Sequence, residues 1–209
     1  MAGQRWFAGK DSGIFKVELA GTFEMPARGT GWLLTIWRAH LRDKTLQHYF
    51  LPLAIAWESG LEDPLATRSA YALARVRQRA RVGGLYDALA DPAFVLSAAK
   101  HMVKRTRLEL AAGGELEFMG TPSLDKIEWN PDEAEARRLG REQSNTSLLI
   151  GQKMIFKAFR KVEPGINPEL EIGGYLTEVA AYGNTPPLLG AVQVRAADGT
   201  PTVLAILQG

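Results

Sequence analysis

The sequence predicts an α+β protein made of antiparallel sheet in two successive units, each carrying one helix. Three observations carry that prediction. Through most of the first 120 residues, short runs rich in β-branched and aromatic side chains alternate with Gly, Pro and polar turns. Asp91-Pro92 and Asn167-Pro168 each set a capping side chain directly before a proline, which is how a helix start reads in sequence. Asp198-Gly199 lies between two alternating apolar runs, the pattern of a tight hairpin.

Taken in order, Phe15–Met25, Trp32–Leu41, His48–Glu58 and Ala66–Val82 read as strands of a meander, ended by turn signals such as Ala27-Arg28-Gly29 and Gly83-Gly84. Within Tyr86–Arg107 a helix is predicted to start at or soon after Asp91, with Leu89, Phe94, Leu96, Met102 and Val103 as its apolar residues. Pro122–Glu142 mixes acids and arginines around Asn130-Pro131 and marks a boundary, giving one unit over residues 1–121 and a second over 122–209. The second unit reads as strand Arg138–Glu142, polar loop Gln143–Ser147, strand Leu148–Ile150, a turn at Gly151-Gln152, and strand Met154–Arg160. After the breaker Glu163-Pro164-Gly165 come a helix from Asn167 to about Ala181 and strands Leu189–Val194 and Thr202–Leu207. The order is β-β-β-α-β-β, with no internal repeat.

Composition narrows the function classes. At 209 residues the chain accommodates one to two domains, and 46% hydrophobic with 23% charged residues excludes a disordered or coiled-coil chain. A net charge of +2 is too weak a field to argue for nucleic acid or a membrane as partner. With no cysteine there is no disulfide scaffold, thiolate metal site or cysteine nucleophile, and His40, His48 and His101 are the only imidazoles. No apolar run reaches about 18 residues and no signal peptide opens the chain, so a cytoplasmic location is expected.

A small antiparallel sheet with a helix inserted after its third strand is how the N-lobe of the protein-kinase-like fold is built, and three features fall where that fold needs them. Gln143-Ser144-Asn145-Thr146-Ser147 between the first two strands offers hydroxyls and amides to phosphate oxygens, although it lacks the glycines of the protein-kinase loop. Lys157 is a lone cation in the apolar strand Met154–Arg160 and calls for a carboxylate partner. Glu171, on the following helix, is placed to be that partner and to hold the lysine against nucleotide phosphates. Each feature alone is ordinary: a hairpin turn, a solvent-facing strand lysine, an acid complementing a helix dipole. Their joint occurrence in this order favours a nucleotide-phosphate site.

The runs Arg141–Gly151, Phe156–Arg160 and Glu163–Glu171 closely resemble bacterial maltokinases, which occur alone or fused behind trehalose synthase. Gln4–Lys10 resembles the opening of that family's N-terminal cap, and Gly84–Ala88 a further cap segment. The resemblance implies ATP-dependent phosphorylation of maltose at its anomeric hydroxyl, giving maltose 1-phosphate for α-glucan and glycogen synthesis. It implies a cystatin-like cap sheet with one helix in front of a kinase-like N-lobe. By matching position, Ser144, Asn145, Thr146 and Ser147 would lie in the phosphate-binding loop and Lys157 would hold the α- and β-phosphates. Glu171 would orient Lys157, and Gln208 would sit at the hinge beside adenine. Family members continue into a helical C-lobe with the catalytic Asp, the Mg²⁺ ligands and the sugar site, whereas this chain ends at Gly209. The expectation is therefore a cap plus N-lobe with the C-lobe absent, trimmed also at its start, with no catalytic or metal-binding residue of its own. It would be inactive alone, with ATP, Mg²⁺ and maltose belonging to the longer parent. The alternative is a non-catalytic docking domain that joins trehalose synthase.

Other residues attract attention and are given plainer readings. Arg75, Arg77, Arg79 and Arg81 alternate as if along one face of a strand, which suits a charged edge better than a nucleic-acid stripe. Among Trp6, Phe7, Trp32, Trp37 and Trp57 core packing is expected to dominate over sugar stacking, with Trp32 and Trp37 on opposite faces of their strand. Asp125, Glu128, Asp132 and Glu133 read as solvated linker charge.

Overall fold

The computed structural model describes residues 3–25, 31–58, 70–110, 113–130, 133–140 and 144–209. The expected turn at Ala27-Arg28-Gly29, the start of the run from Ala66, Asp132 and Arg141-Glu142-Gln143 lie outside the described residues. The amino-terminal strands are β1 (Ile14–Met25), β2 (Trp32–Leu41), β3 (Leu46–Phe50), β4 (Leu53–Trp57), β5 (Ala72–Gln78) and β6 (Arg81–Asp87), followed by α1 (Pro92–Val103). Then come β7 (Arg107–Glu109), β8 (Glu115–Gly120), β9 (Ala136–Arg138), β10 (Asn145–Ile150), β11 (Met154–Phe159) and β12 (Lys161–Val162). Helix α2 (Pro168–Gly174) runs into a π-helical turn, Tyr175–Val179, and β13 (Leu188–Arg195) and β14 (Pro201–Gln208) close the chain. No helix among the described residues is long and apolar enough to cross a membrane.

Among the described residues every strand pair is antiparallel, and with two helices the class is α+β. The first sheet has the order β12-β3-β2-β4-β6-β5, with β1 added along β2; the second has the order β7-β8-β13-β14-β11-β10-β9. The second unit runs β9, β10, β11, β12, α2, β13 and β14: the expected β-β-β-α-β-β order gains β12 before the helix, and its first strand lies at Ala136–Arg138, not Arg138–Glu142, of which residues 141–142 lie outside the described residues. The expected boundary at 121/122 does not separate the two sheets. β8 pairs with β13 along its whole length, so residues 107–120 belong to the second sheet, while β12 pairs with β3 and belongs to the first. Two short strands account for the difference: β7 and β8 follow α1 directly, and their few residues carry too little alternation to stand out from a helix tail.

Local chemistry explains most of the elements. Asp91 Oδ1 accepts a hydrogen bond from the Ala93 amide at 3.0 Å, with Pro92 at the first helical position, and Asn167 Oδ1 accepts from Leu170 at 3.1 Å in the same manner. Asp198-Gly199 turns β13 into β14 with Gly199 at φ +85°. Leu51-Pro52 divides the expected run His48–Glu58 into β3 and β4. The run Ala66–Val82 is divided as well: Gln78 pairs with Arg81 across a two-residue turn in which Arg79 takes φ +56°. Arg75 and Arg77 therefore lie on β5 and Arg81 on β6, and the four arginines do not line one strand face. Gly83 and Gly84 are not a turn but part of β6, where a Cβ on Gly83 would lie 2.5 Å from the Ala56 carbonyl oxygen.

The two sheets and α1 share one interior. Met25, Leu34 and Phe50 from the first sheet, Phe94 and Ala98 from α1, and Phe118, Phe156, Val192 and Ala205 from the second sheet all line the same small internal space. Trp32 meets Phe94 edge-on at 5.8 Å between ring centroids. The helix lies close on the second sheet: a Cβ on Gly120 would sit 2.5 Å from the Met102 carbonyl oxygen, and one on Gly190 3.0 Å from Met102 Sδ. On the outer face of the first sheet a second cluster gathers Trp6, Phe7, Ala39, Leu41, Tyr49, Leu51 and Leu53, with Trp37 half-buried beside it. Trp32 and Trp37 thus do face opposite sides of β2. Helix α2 buries no residue fully; its Gly173 and Gly174 rest against Leu188 of β13.

One buried ion pair joins the sheets. Arg160, between β11 and β12, is fully buried, and its Nη2 donates to Asp87 Oδ2 of β6 at 2.5 Å while its Nε donates to Thr146 Oγ1 of β10 at 2.8 Å. Removing one partner of such a pair leaves a buried charge uncompensated. Asp87→Ala is expected to lower stability by about 3–5 kcal/mol, measured by urea denaturation.

A second buried carboxylate sits on β8. Burial acts to raise the Glu117 pKa, but the hydrogen bond from Gln193 Nε2, the charge of Arg195 and its Nη2 at 3.1 Å outweigh burial and hold it below the ordinary 4.5. A folded-state pKa below the unfolded one adds stability that is present above the unfolded value and fades as pH falls through the folded one. Glu117→Gln is expected to cost about 2 kcal/mol at pH 7. The gap to wild type should narrow below pH 4.5 in denaturation curves taken across pH.

Candidate functional site

The site begins with the alternation of β10 and β11. In β10, Thr146, Leu148 and Ile150 point to the interior, whereas Asn145, Ser147 and Leu149 are half-exposed. The register sets Ser147 opposite Lys157 and Asn145 opposite Phe159, and Lys157 in turn lies opposite Ile206 of β14. Ile155 is opposite Gln208, the last residue of β14. Ser147, Asn145, Lys157 and Gln208 therefore share the sheet face turned away from the common interior, and α2 packs over the same face against Leu188.

Lys157 reaches from this face to α2. Its Nζ donates to Glu169 Oε1 at 2.8 Å and Oε2 at 2.5 Å, and lies 5.4 Å from the centroid of Phe159. The expected partner was Glu171, and the helix geometry explains the correction. Asn167 caps α2, so Glu169 lies in the first turn facing β11, and two further residues rotate the side chain by about 200°. Glu171 is exposed and makes no ion pair among those described. Lys157 and Glu169 side chains are 23% and 44% exposed, so the pair adds at most about 1 kcal/mol to stability. Its value lies in holding an ammonium in place beside an open surface.

The hydroxyl-rich loop is not where the sequence reading put it. Asn145, Thr146 and Ser147 belong to β10, and the described residues between β9 and β10 are Leu139, Gly140 and Ser144. Thr146 is turned inward, its hydroxyl taken by Arg160, because the strand period sends every second side chain to the interior. Ser144 remains at the connection, where its carbonyl accepts from the Arg160 amide at 3.1 Å. Gly140 in the same connection has φ +66°, a glycine that the reading of residues 143–147 passed over. Glu169 was also missed; the Asn167-Pro168 start sets both Glu169 and Glu171 in the first turn, and only the placement of the helix against β11 selects Glu169.

What this face sets side by side is an anchored ammonium and, opposite it on the neighbouring strand, a serine residue, a pair suited to phosphate oxygens. Asp125 of the linker acids is paired with Arg105 at 2.6 Å, and no group of three or more His, Asp or Glu able to hold a metal ion occurs among the described residues.

Comparison with known proteins bears on the amino-terminal part and on the fold. Residues 1–91 match the model of the maltokinase N-terminal cap domain, so the amino-terminal part of the chain is similar to such a cap. Two structures of glucosamine kinase are similar to the chain with a TM-score of 0.53 at 14% sequence identity, one of them in complex with glucosamine, ADP and inorganic phosphate. The likeness covers 92% of this chain and 35% and 34% of theirs, so the chain spans about a third of their length. At that identity the likeness is one of fold, and the fold is kinase-like.

The partner of Lys157 is open to direct measurement. Glu169→Gln is expected to shift the Lys157 side-chain ammonium resonance in ¹⁵N NMR, and Glu171→Gln to leave it in place.

Proposed function

We propose that this chain is the cap and nucleotide-binding part of an ATP-dependent sugar kinase, with maltose as acceptor and maltose 1-phosphate as product. The observation that carries the reading is the Lys157–Glu169 pair: a strand lysine held by a glutamate on the next helix is the device by which kinases set a cation on nucleotide phosphates. In this reading Lys157 bridges the α- and β-phosphates, Glu169 keeps its ammonium from turning away, and Ser147 faces the phosphate oxygens. Gln208, at the end of β14, lies at the edge where the adenine would be held. The choice of maltose over another sugar rests on the cap match alone. Mg²⁺ would accompany ATP, but the described residues do not gather a ligand set for it, and no role of this chain depends on one.

Phosphoryl transfer depends on charge placed at the phosphates before reaction, so loss of the lysine acts on rate more than on folding. In the polypeptide that carries this chain, Lys157→Ala is expected to lower maltose-dependent ATP consumption about 100-fold. Glu169→Gln should give a smaller loss in the same assay. Unchanged turnover in Lys157→Ala would overturn the reading.

A further inference from the structure

Arg160 occupies the point at which one strand passes from the second sheet to the first. On the side of the second sheet, its amide donates to the Ser144 carbonyl and its Nε to Thr146 Oγ1. On the side of the first, the Phe50 amide donates to its carbonyl at 2.9 Å, its Nη2 donates to Asp87, and its guanidinium lies 5.1 Å from the Trp6 ring centroid. Asp87 is itself fixed, since its Oδ1 accepts from the Leu89 amide at 3.1 Å. The next two residues pair with the first sheet, Lys161 with Tyr49 and Val162 with His48. Trp6, Phe50 and Asp87 all fall within the cap, residues 1–91.

The two residues of the proposed phosphate site hang from either end of this clamped segment. Lys157, on β11, is three residues before Arg160, a span of about 10 Å in extended chain. Glu169 follows on the other side, reached through Gly165, whose amide donates to the Pro201 carbonyl at 2.7 Å, and the Asn167 cap. A shift of the segment against the cap would move the lysine strand and the helix start together. A buried ion pair is a poor device for stability alone, because apolar side chains of similar size serve as well. What it adds is a directional requirement that admits one register.

We propose that Arg160 is a positioning residue through which the cap fixes the Lys157–Glu169 pair for nucleotide. Its catalytic consequence rests on the kinase reading above; its structural half does not. The coupling makes the cap part of the nucleotide site at a distance, and by linkage makes nucleotide binding tighten the cap on the second sheet.

Amide hydrogen exchange on this chain tests the structural half, with Asp87→Asn and Thr146→Val as variants and Leu41→Ala as a control that loosens the cap from its outer cluster. Thr146→Val keeps the Asp87–Arg160 pair and serves should Asp87→Asn fold poorly. The expected result is exchange faster at residues 157–162 and in α2 by about tenfold beyond any change in β13 and β14, and no such local excess in the control. Uniform acceleration through both sheets, or none, would overturn the coupling. ATP turnover by the polypeptide carrying the chain tests the catalytic half: the same variants should raise the KM for ATP by about tenfold with a smaller change in kcat. An unchanged KM where Lys157→Ala abolishes turnover would overturn the positioning role. Turnover indifferent to Lys157→Ala would instead overturn the kinase reading and leave the exchange result standing.

Discussion

A fully buried guanidinium organises this molecule. Taking Arg160 out of water is tolerable only because a carboxylate from one sheet and a hydroxyl from the other meet it, and neither sheet supplies both. The common apolar interior holds the sheets together without direction, since Phe, Leu and Val side chains accept many relative placements. The ion pair selects among them. It also explains why a strand of the second sheet continues into the first rather than ending: the backbone of Arg160 bonds outward to both.

That arrangement alters how the chain divides. A boundary drawn from composition looks for a polar stretch, and 122–142 is one. The structure draws its division through pairing instead, with β7 and β8 on one side and β12 crossing to the other. The region between the two sheets is therefore an interface of shared strands and shared core, with α1 packed into it, and not a tether between independent bodies.

Much of this was legible in the residues where the cause is local. The caps at Asp91 and Asn167, the Asp198-Gly199 turn, the opposite facing of Trp32 and Trp37, and the strand setting of Lys157 all follow from interactions within a few positions in sequence. What was not legible depended on distant partners. The run from Ala66 looked like one strand because nothing nearby announces that Arg79 adopts a left-handed turn, and Gly83 looked like a turn because its need for close approach to Ala56 is a property of the neighbouring strand. Thr146 looked like a loop hydroxyl because its partner Arg160 is a strand away. The choice of Glu169 over Glu171 lay between the two cases, since the cap was visible but the direction of the helix relative to β11 was not.

Gly173 and Gly174 offer Leu188 no side chains to interlock with. Ridges set into grooves resist sliding; a bare glycine surface does not. The helix that carries Glu169 is held instead by side chains on either side of the glycines, Glu169 on Lys157 and Leu170 against the core before, and after, Thr177 Oγ1 accepting from the Leu188 amide and Glu178 accepting from that of Ser123. The glycine pair thus lets the helix lie close on the sheet, while the anchors before and after it set where along the sheet it stops.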